Sequence, residues 1–138
     1  MSNKVRNDCI CINCGKVFYP QKNTTGKYCS NKCQQEYQSH QKYLNYLADP
    51  SKYMKGCNMK WIKKHILQEQ GYKCAICNMP NSWNGKVLIF ILDHIDGHAH
   101  NNNRSNLRLI CPNCDSQLDT YKSKNKKSDR IYYHFHHR

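Results

Sequence analysis

The sequence predicts a small α+β protein made of two modules, each held together by its own cysteines. Eight of the ten cysteines fall into four close pairs. Short segments with apolar residues at helical spacing alternate with shorter runs that are typical of strands. The 138 residues are only 38% hydrophobic and have a mean hydropathy of -0.93. This composition leaves little material for a large core, so we expect the cysteines to supply stability that burial does not.

The first module is predicted to contain a hairpin followed by a helix. Apolar residues alternate around Val17, Tyr19 and Tyr28, Gly15 lies just past the first cysteine pair, and Pro20 and Gly26 occupy turn positions, which is typical of a small hairpin. Ser30 or Asn31 can cap a helix that carries tyrosines and leucines at helical spacing. That helix is expected to end at Pro50.

A second helix, two strands and a third helix are predicted in the rest of the chain. The stretch "NMKWIKKHILQEQGY" has apolar residues at helical spacing, and Gly71 is its expected C-terminal stop. The run from Val87 to Asp93 is apolar on both faces, which predicts a buried strand. A short strand over Leu107 to Ile110 and a helix that starts near Pro112 are expected to follow.

The cellular compartment bears on the state of the cysteines. No stretch approaches the roughly 18 to 20 consecutive apolar residues of a membrane span. The N-terminus "MSNKVRNDC" has no apolar run that could act as a signal peptide. We therefore expect a cytoplasmic protein with reduced thiols and no membrane partner. In that compartment, close pairs of cysteines indicate metal binding before they indicate disulfides.

The paired cysteines predict two structural zinc sites. Tetrahedral zinc needs four ligands, and each close pair of cysteines supplies two of them by curling its backbone around the metal. Unligated thiols or disulfides are the alternative, and Cys9 can compete with its neighbour as a ligand. The expected ligands are Cys11, Cys14, Cys29 and Cys33 in the first module, and Cys74, Cys77, Cys111 and Cys114 in the second.

The charge of the chain indicates its partner. Lys and Arg number 22 against 9 Asp and Glu, which leaves a net charge of +13 at pH 7. A surplus of this size points to a polyanion, and nucleic acid is the expected one. A solvated lysine-rich surface is the alternative.

A structural zinc ion catalyses no reaction, so any chemistry must come from other residues. Asp93 and His94 are the first polar residues after the apolar run. A carboxylate suits a hard divalent cation, and an imidazole can take up a proton near neutral pH. Without context, such a pair is more typical of a strand end that faces water. Here the chain continues through a Gly- and Asn-rich loop to Asn106, a strand, a cysteine knuckle and Asp115.

From about Cys74 to Asn125 the chain resembles the HNH endonucleases, most specifically in "DHIDG" and "NLRLICPNC". The resemblance implies a ββα-metal fold, in which a hairpin and a helix clasp one metal ion. The segments "CINCGKVFYP" and "GKYCSNKC" look like the zinc-ribbon or treble-clef-like extension of some phage-type members. The expected domains are a zinc module with its helix at 1–48, a linker and helix at 49–72, the nuclease domain at 73–128 and a basic, His-rich tail at 129–138.

The resemblance implies catalytic roles for four residues. His94 matches the general base that deprotonates the attacking water, and Asp93 matches the first metal ligand. Asn106 matches the middle Asn, which orients the base and steadies the loop. Where the family usually has His or Asn, this chain has Asp115. We expect Asp115 to be a metal ligand that favours Mg or Mn; a place outside the ligand set, or a chain without activity, is the alternative.

Three other histidines compete for a role. His98 and His100 lie in "GHAHNN" and could form a metal site with His94, although a flexible loop is the simpler interpretation. His65 is expected to pack its helix against the rest of the protein.

The implied function is hydrolysis of DNA phosphodiester bonds to 5'-phosphate and 3'-hydroxyl ends, with one catalytic Mg or Mn beside two structural zinc ions. Double-stranded DNA is the expected partner, in the host-cell cytosol if the gene belongs to a phage. The sequence leaves open whether one or both strands are cut and whether a homodimer forms. The alternatives are a zinc-dependent DNA-binding protein with lost cleavage and a zinc module that binds a protein. The residues expected to contact DNA are Arg104, Arg108, Lys122, Lys124, Lys126 and Lys127.

Overall fold

The computed structural model of the chain describes residues 7–53 and 59–126. The chain divides into two compact units, Met1–Asn45 and Tyr46–Arg138. Lys127 and the expected tail at 129–138 lie outside the described residues. Among the residues that are described, no helix is both long and apolar enough to cross a membrane.

The first unit contains a two-stranded hairpin and most of a long helix. Strand β1 (Cys9–Ile10) pairs antiparallel with β2 (Val17–Phe18), so the hairpin lies earlier in the chain than predicted and encloses the first cysteine knuckle. Gly15 closes the turn with a φ of 73°, a conformation that favours glycine because it has no side chain.

Helix α1 (Asn31–Ala48) follows the second cysteine pair. The Ser30 hydroxyl accepts a hydrogen bond of 3.2 Å from the backbone N–H of Cys33, which satisfies one of the free donors at a helix N-terminus. The predicted cap and helix are therefore confirmed. The boundary between the two units falls within α1, so Tyr46 belongs to the second unit.

The second unit starts with short helical segments. A 3₁₀ turn at Pro50–Tyr53 is followed, after the undescribed residues 54–58, by a 3₁₀ turn at Lys60–Ile62 that leads directly into α2 (Lys63–Glu69). Gly71, with a φ of 60°, lies just beyond the helix as predicted, because a left-handed residue ends a helix readily.

The predicted strand from Val87 to Asp93 is wrong in its first half. Strand β3 (Ser82–Trp83) pairs with β4 (Lys86–Val87) through an Asn-Gly turn, and this small hairpin ends before the next strand begins. Val87 is 77% exposed and Ile89 is 76% exposed. The apolar run therefore does not form one buried strand, because a tight turn upstream takes its first residues into a separate hairpin.

The central hairpin of the second unit consists of β5 (Ile91–His94) and β6 (Leu107–Ile110). The strands pair antiparallel with Ile91 opposite Ile110 and His94 opposite Leu107. Helix α3 (Pro112–Ser116) follows β6 and has Cys111 as its N-cap and a proline in its first turn. The predicted strand at 107–110 and the helix that starts near Pro112 are confirmed.

The core of this unit lies between α2 and β6. Helix α2 packs against β6. Tyr46 and Phe90 are also buried, but most of the buried aliphatic side chains come from α2, β6 and the turn before α2. The fully buried ones are Ile62, Ile66, Leu107, Leu109 and Ile110. Burial of such side chains stabilises the fold by roughly 1.5 to 3 kcal/mol each.

The outer edge of β6 is completed by a side chain. Gln70 accepts a hydrogen bond of 2.8 Å from the backbone N–H of Leu109 and donates one of 2.9 Å to its carbonyl. The same amide donates to the carbonyl of Lys73 at 2.8 Å. Gln70 thus pairs with β6 as a neighbouring strand would and joins the end of α2 to the sheet.

Replacement of Gln70 tests this connection. Gln70→Ala should lower the free energy of unfolding by about 1 to 3 kcal/mol, because the backbone N–H of Leu109 loses its acceptor, whereas the Leu109 carbonyl keeps the N–H of Ala75 at 3.0 Å. Gln68→Ala, an exposed change two residues earlier, should stay within about 0.5 kcal/mol of the parent. Denaturant titration of both variants with zinc bound would measure the difference. Equal stability would contradict the role of Gln70.

Candidate metal and active site

The first unit brings its four predicted zinc ligands together. The sulfur atoms of Cys11, Cys14, Cys29 and Cys33 lie within 4.8 Å of one another. The Sγ atoms of Cys14 and Cys29 are 3.6 Å apart, and those of Cys29 and Cys33 are 3.5 Å apart. Four sulfurs at this spacing can hold one tetrahedral zinc ion.

The second unit contains an equivalent group. The sulfurs of Cys74, Cys77, Cys111 and Cys114 also lie within 4.8 Å of one another. The backbone N–H of Cys111 points at the sulfur of Cys74 at 3.3 Å, and that of Cys114 at the sulfur of Cys111 at 3.4 Å. Such backbone donors stabilise thiolates, which are the form that binds zinc.

The electrostatics of both groups fit a cation. Burial opposes ionisation of Cys11 and Cys74, but backbone N–H groups around each sulfur outweigh it and lower the pKa of both thiols to about 6. Hydrogen bonds to Cys33 and to other cysteine sulfurs raise the pKa of Cys29 to about 12. Burial and neighbouring sulfurs raise the pKa of Cys114 to about 12. Four thiolates can therefore coexist only with a positive charge between them, which a divalent metal provides.

Asp93 and His94 end strand β5. Asp93 is buried, with 9% of its surface exposed, and its Oδ2 atom accepts a hydrogen bond of 2.7 Å from Nε of Arg108 directly across the hairpin. His94 is half-buried, and its Nε2 atom lies 2.8 Å from Oδ1 of Asn102. The two side chains are thus oriented by different partners.

Asn106 holds the loop that follows His94. Its Oδ1 atom accepts from the backbone N–H of Asp96 at 3.0 Å, and its Nδ2 donates to Oδ1 of Asp96 at 2.9 Å and to the carbonyl of Asn101 at 2.8 Å. Burial opposes ionisation of Asp96, but donors from Asn101, His98 and Asn106 lower its pKa to about 2. Asn106 therefore lies within a fixed network.

The contact to the His94 ring comes from Asn102, which the sequence analysis did not identify. Within residues 7–53 and 59–126, the ring forms its hydrogen bond with Asn102, and the Asn106 side chain bonds to the loop instead. The predicted orienting role of Asn106 stays a prediction. Three consecutive asparagines occur at 101–103, and only the fold distinguishes the one that faces the histidine.

Asp115 lies in α3, which packs against β5. Burial raises the pKa of the Asp115 carboxyl, the negative charge of Asp93 raises it further, and Lys122 opposes both effects. The two carboxylates therefore repel each other, and a divalent cation with oxygen ligands would relieve that repulsion. The donor chemistry fits Mg or Mn.

In residues 7–53 and 59–126, no compact cluster of three ligands includes these carboxylates. Among the described residues, groups of three or more potential ligands within 4.8 Å are limited to the two cysteine groups. The alternative site built from His94, His98 and His100 is thus not assembled in the part of the chain that the structure describes. His65 is buried, and its ring centre lies 6.4 Å from that of Trp61, as expected of a packing residue.

The described basic residues that were predicted to bind DNA fall into two groups, which are arginines held in ion pairs and exposed lysines. Arg104 forms an ion pair with Glu69 and donates to the carbonyl of Leu107 at 2.7 Å. Arg108 is paired with Asp93. The exposed lysines of the segment after α3 are Lys122, Lys124 and Lys126.

Of these three lysines, Lys122 interacts electrostatically with Asp115. Its Nζ atom lies 4.8 Å from the centre of the Tyr121 ring. Hydrogen bonding and charge interaction with Tyr121, together with the charge of Asp115, raise the pKa of Lys122. It therefore stays positively charged beside Asp115.

The hairpin, the helix and the cysteine group bring Asp93, His94 and Asp115 into one part of the second unit. Over 66 residues the chain is 39% identical to the H-N-H endonuclease F-TflIV of Escherichia phage T5. The match covers 46% of this chain and 29% of that endonuclease. No family model matches the chain, and no solved structure matches it.

The two cysteine groups predict the metal content of the purified protein. We expect about two zinc ions per chain, since each group can form a closed four-ligand site. Cys29→Ser and Cys111→Ser should each lose about one zinc and unfold the unit concerned, because zinc binding supplies much of the folding free energy of such small modules. Cys9→Ser, outside both groups, is the matched control and should keep both ions. Elemental analysis that finds one zinc or none in the folded parent chain would overturn the assignment.

Proposed function

We propose that this protein is a metal-dependent DNA endonuclease or nickase that leaves 5'-phosphate and 3'-hydroxyl ends. The observation that carries the proposal is that a histidine and two carboxylates come from two elements that pack together. Asp93 and His94 end β5, and the helix that carries Asp115 packs against that strand. The similarity to an H-N-H endonuclease over 66 residues supports nuclease chemistry in this part of the chain.

His94 is the proposed general base. It is half-buried at the end of a strand, and one ring nitrogen is already bonded to Asn102, so the ring is held in place. The other nitrogen can then accept the proton of the water that attacks phosphorus. A positioned base of this kind contributes about 10² to 10⁴ in rate.

Asp93 and Asp115 are the proposed ligands of the catalytic cation. When bound, Mg or Mn would stabilise the negative charge on the phosphate and on the leaving 3'-oxygen. Arg108 holds one oxygen of Asp93 at 2.7 Å, which sets the orientation of the carboxylate and leaves its other oxygen for the metal. Two protein ligands suffice because water fills the remaining positions of such ions.

Double-stranded DNA is the proposed substrate. The net charge of +13 favours a polyanion, and the exposed Lys122, Lys124 and Lys126 follow the helix that carries Asp115. Within the described residues, the terminal amino groups of Arg108 form no hydrogen bond, and we propose that they meet a phosphate. Contacts of this kind position the duplex without reading its sequence.

Removal of the base should separate cleavage from binding. His94→Ala should cleave supercoiled plasmid about 10² to 10⁴ times more slowly than the parent, whereas its affinity for DNA should stay within about threefold because phosphate contacts lie elsewhere. His98→Ala, an exposed histidine in the same loop, is the matched control and should cleave normally. If His94→Ala cuts as fast as the parent, another residue is the base. A parent chain that binds but never cuts would favour a DNA-binding protein without cleavage.

The role of Asp115 is tested by metal titration. Asp115→Ala should cleave poorly at low Mg and recover in part at high Mg or with Mn, because the loss lies in metal affinity, whereas His94→Ala should show no such recovery. Asp115→His should stay active and shift its preference toward Mn, Co or Ni. Identical Mg curves for Asp115→Ala and the parent would exclude Asp115 as a ligand. Cleavage by Asp115→His alone would mean that the parent chain is inactive.

The environment of Asp115 can also be tested without DNA, through the pH dependence of the stability of the fold. Because burial and Asp93 raise the pKa of Asp115, its ionised form destabilises the fold. The penalty is absent below the ordinary pKa of 3.8 and develops as the pH rises through the raised value. Asp115→Asn should therefore be more stable than the parent at pH 7 without Mg, equal to it near pH 3, and insensitive to added Mg. Thermal melts across pH, with and without Mg, would show this, and a parent that Mg does not stabilise would contradict it.

A further inference from the structure

We propose that Asn102 is a positioning residue that selects the nitrogen of His94 which accepts the proton. This inference rests on the proposed function, because it assigns the reactive atom of the same base. Asn102 lies in the loop between β5 and β6, only 3% exposed. Its Oδ1 atom lies 2.8 Å from Nε2 of His94.

The orientation of the Asn102 amide follows from a second contact, with the backbone of Tyr53. Its Nδ2 atom lies 2.5 Å from the backbone carbonyl of Tyr53. A carbonyl oxygen can only accept, so the amide must present its NH₂ group to Tyr53. Its oxygen then necessarily faces His94.

That orientation determines the tautomer of the histidine. The amide oxygen can only accept, so Nε2 of His94 must carry the hydrogen. In a neutral imidazole the lone pair is then on Nδ1. Among residues 7–53 and 59–126, no hydrogen bond engages Nδ1 of His94. Nδ1 is therefore the proton-accepting atom.

The main chain of Asn102 is held as firmly as its side chain. Its carbonyl accepts a hydrogen bond of 2.6 Å from the hydroxyl of Tyr46, which is fully buried. The ring of Tyr46 packs edge-on against Tyr53 and Trp61, with centres 5.5 and 5.9 Å away. This packing supports both contacts of Asn102, because the Tyr46 side chain supplies the hydroxyl and the backbone of Tyr53 supplies the carbonyl.

The tautomer is directly measurable in the zinc-loaded parent protein. A long-range ¹H–¹⁵N spectrum of the imidazole rings at pH 8, with His94 assigned by His94→Ala, should show His94 protonated at Nε2. It should also show a slowly exchanging Nε2–H proton. A neutral ring protonated at Nδ1 would overturn the proposal, and this test needs neither DNA nor activity.

Variants separate positioning from simple loosening of the loop. Asn102→Leu keeps the size but loses the acceptor, and should lower kcat about 100-fold while KM for DNA and the Mg dependence stay unchanged. Asn102→Asp keeps an acceptor oxygen for His94 and should cleave at least about tenfold faster than Asn102→Leu. Asn103→Leu changes the exposed neighbouring asparagine in the same way, and should stay within about threefold of the parent and retain the Nε2–H signal.

A double variant shows whether Asn102 acts through the histidine. In the His94→Ala background, Asn102→Leu should cause no further loss of cleavage, because the group it positions is already gone. Additive losses would overturn the proposal, as would a parental rate in Asn102→Leu. If the parent shows the expected tautomer but cuts no DNA, the proposed function fails while the contact stands. If His94→Ala is inactive and Asn102→Leu is not, the function stands and this inference fails.

Discussion

The candidate site depends on the packing of four sulfur atoms in the second unit. Cys111 is the last residue before α3 and its N-cap, so the same residue directly follows β6, starts the helix and belongs to the cysteine group. A set of four neighbouring thiolates is unfavourable without a cation, as the pKa of about 12 for Cys114 shows. Metal binding at this group therefore couples the strand that supports Asp93 to the helix that carries Asp115.

The hairpin next to this cysteine group orients the residues of the candidate site through one contact between its strands and through contacts in its loop. Direct pairing of Asp93 with Arg108 across the strands holds one carboxylate at a fixed angle and balances its charge. Asn106, one residue before β6, uses its side chain to bind the loop. The loop in turn carries Asn102 to His94. The small unit thus orients its acid and base groups through hydrogen bonds, since it has too little apolar material to do so by packing alone.

Charge in the site is nearly balanced by neighbours of opposite sign. Asp93 forms an ion pair with Arg108, and the positive charge of Lys122 partly offsets the negative charge of Asp115. The remaining repulsion between the carboxylates is the electrostatic feature that favours a divalent cation there, whereas the two cysteine groups favour zinc because their ligands are soft sulfurs. The proposed Mg or Mn site and the two cysteine groups would therefore select different ions.

The features that depend on local spacing could be predicted from the sequence alone. The cysteine knuckles, the cap of α1, the helix start near Pro112 and the pair at the end of β5 were all predicted, because each is set by neighbours a few residues apart. The strand over 87–93 was predicted too long, since its pattern is apolar throughout and does not reveal that a tight turn takes Val87 into another hairpin. Only the tertiary structure decided which asparagine of 101–103 meets His94, that Arg108 binds Asp93, and that Gln70 completes β6. Each of these contacts joins groups whose separation depends on how the chain folds back, and such long-range geometry leaves no periodic trace in the sequence.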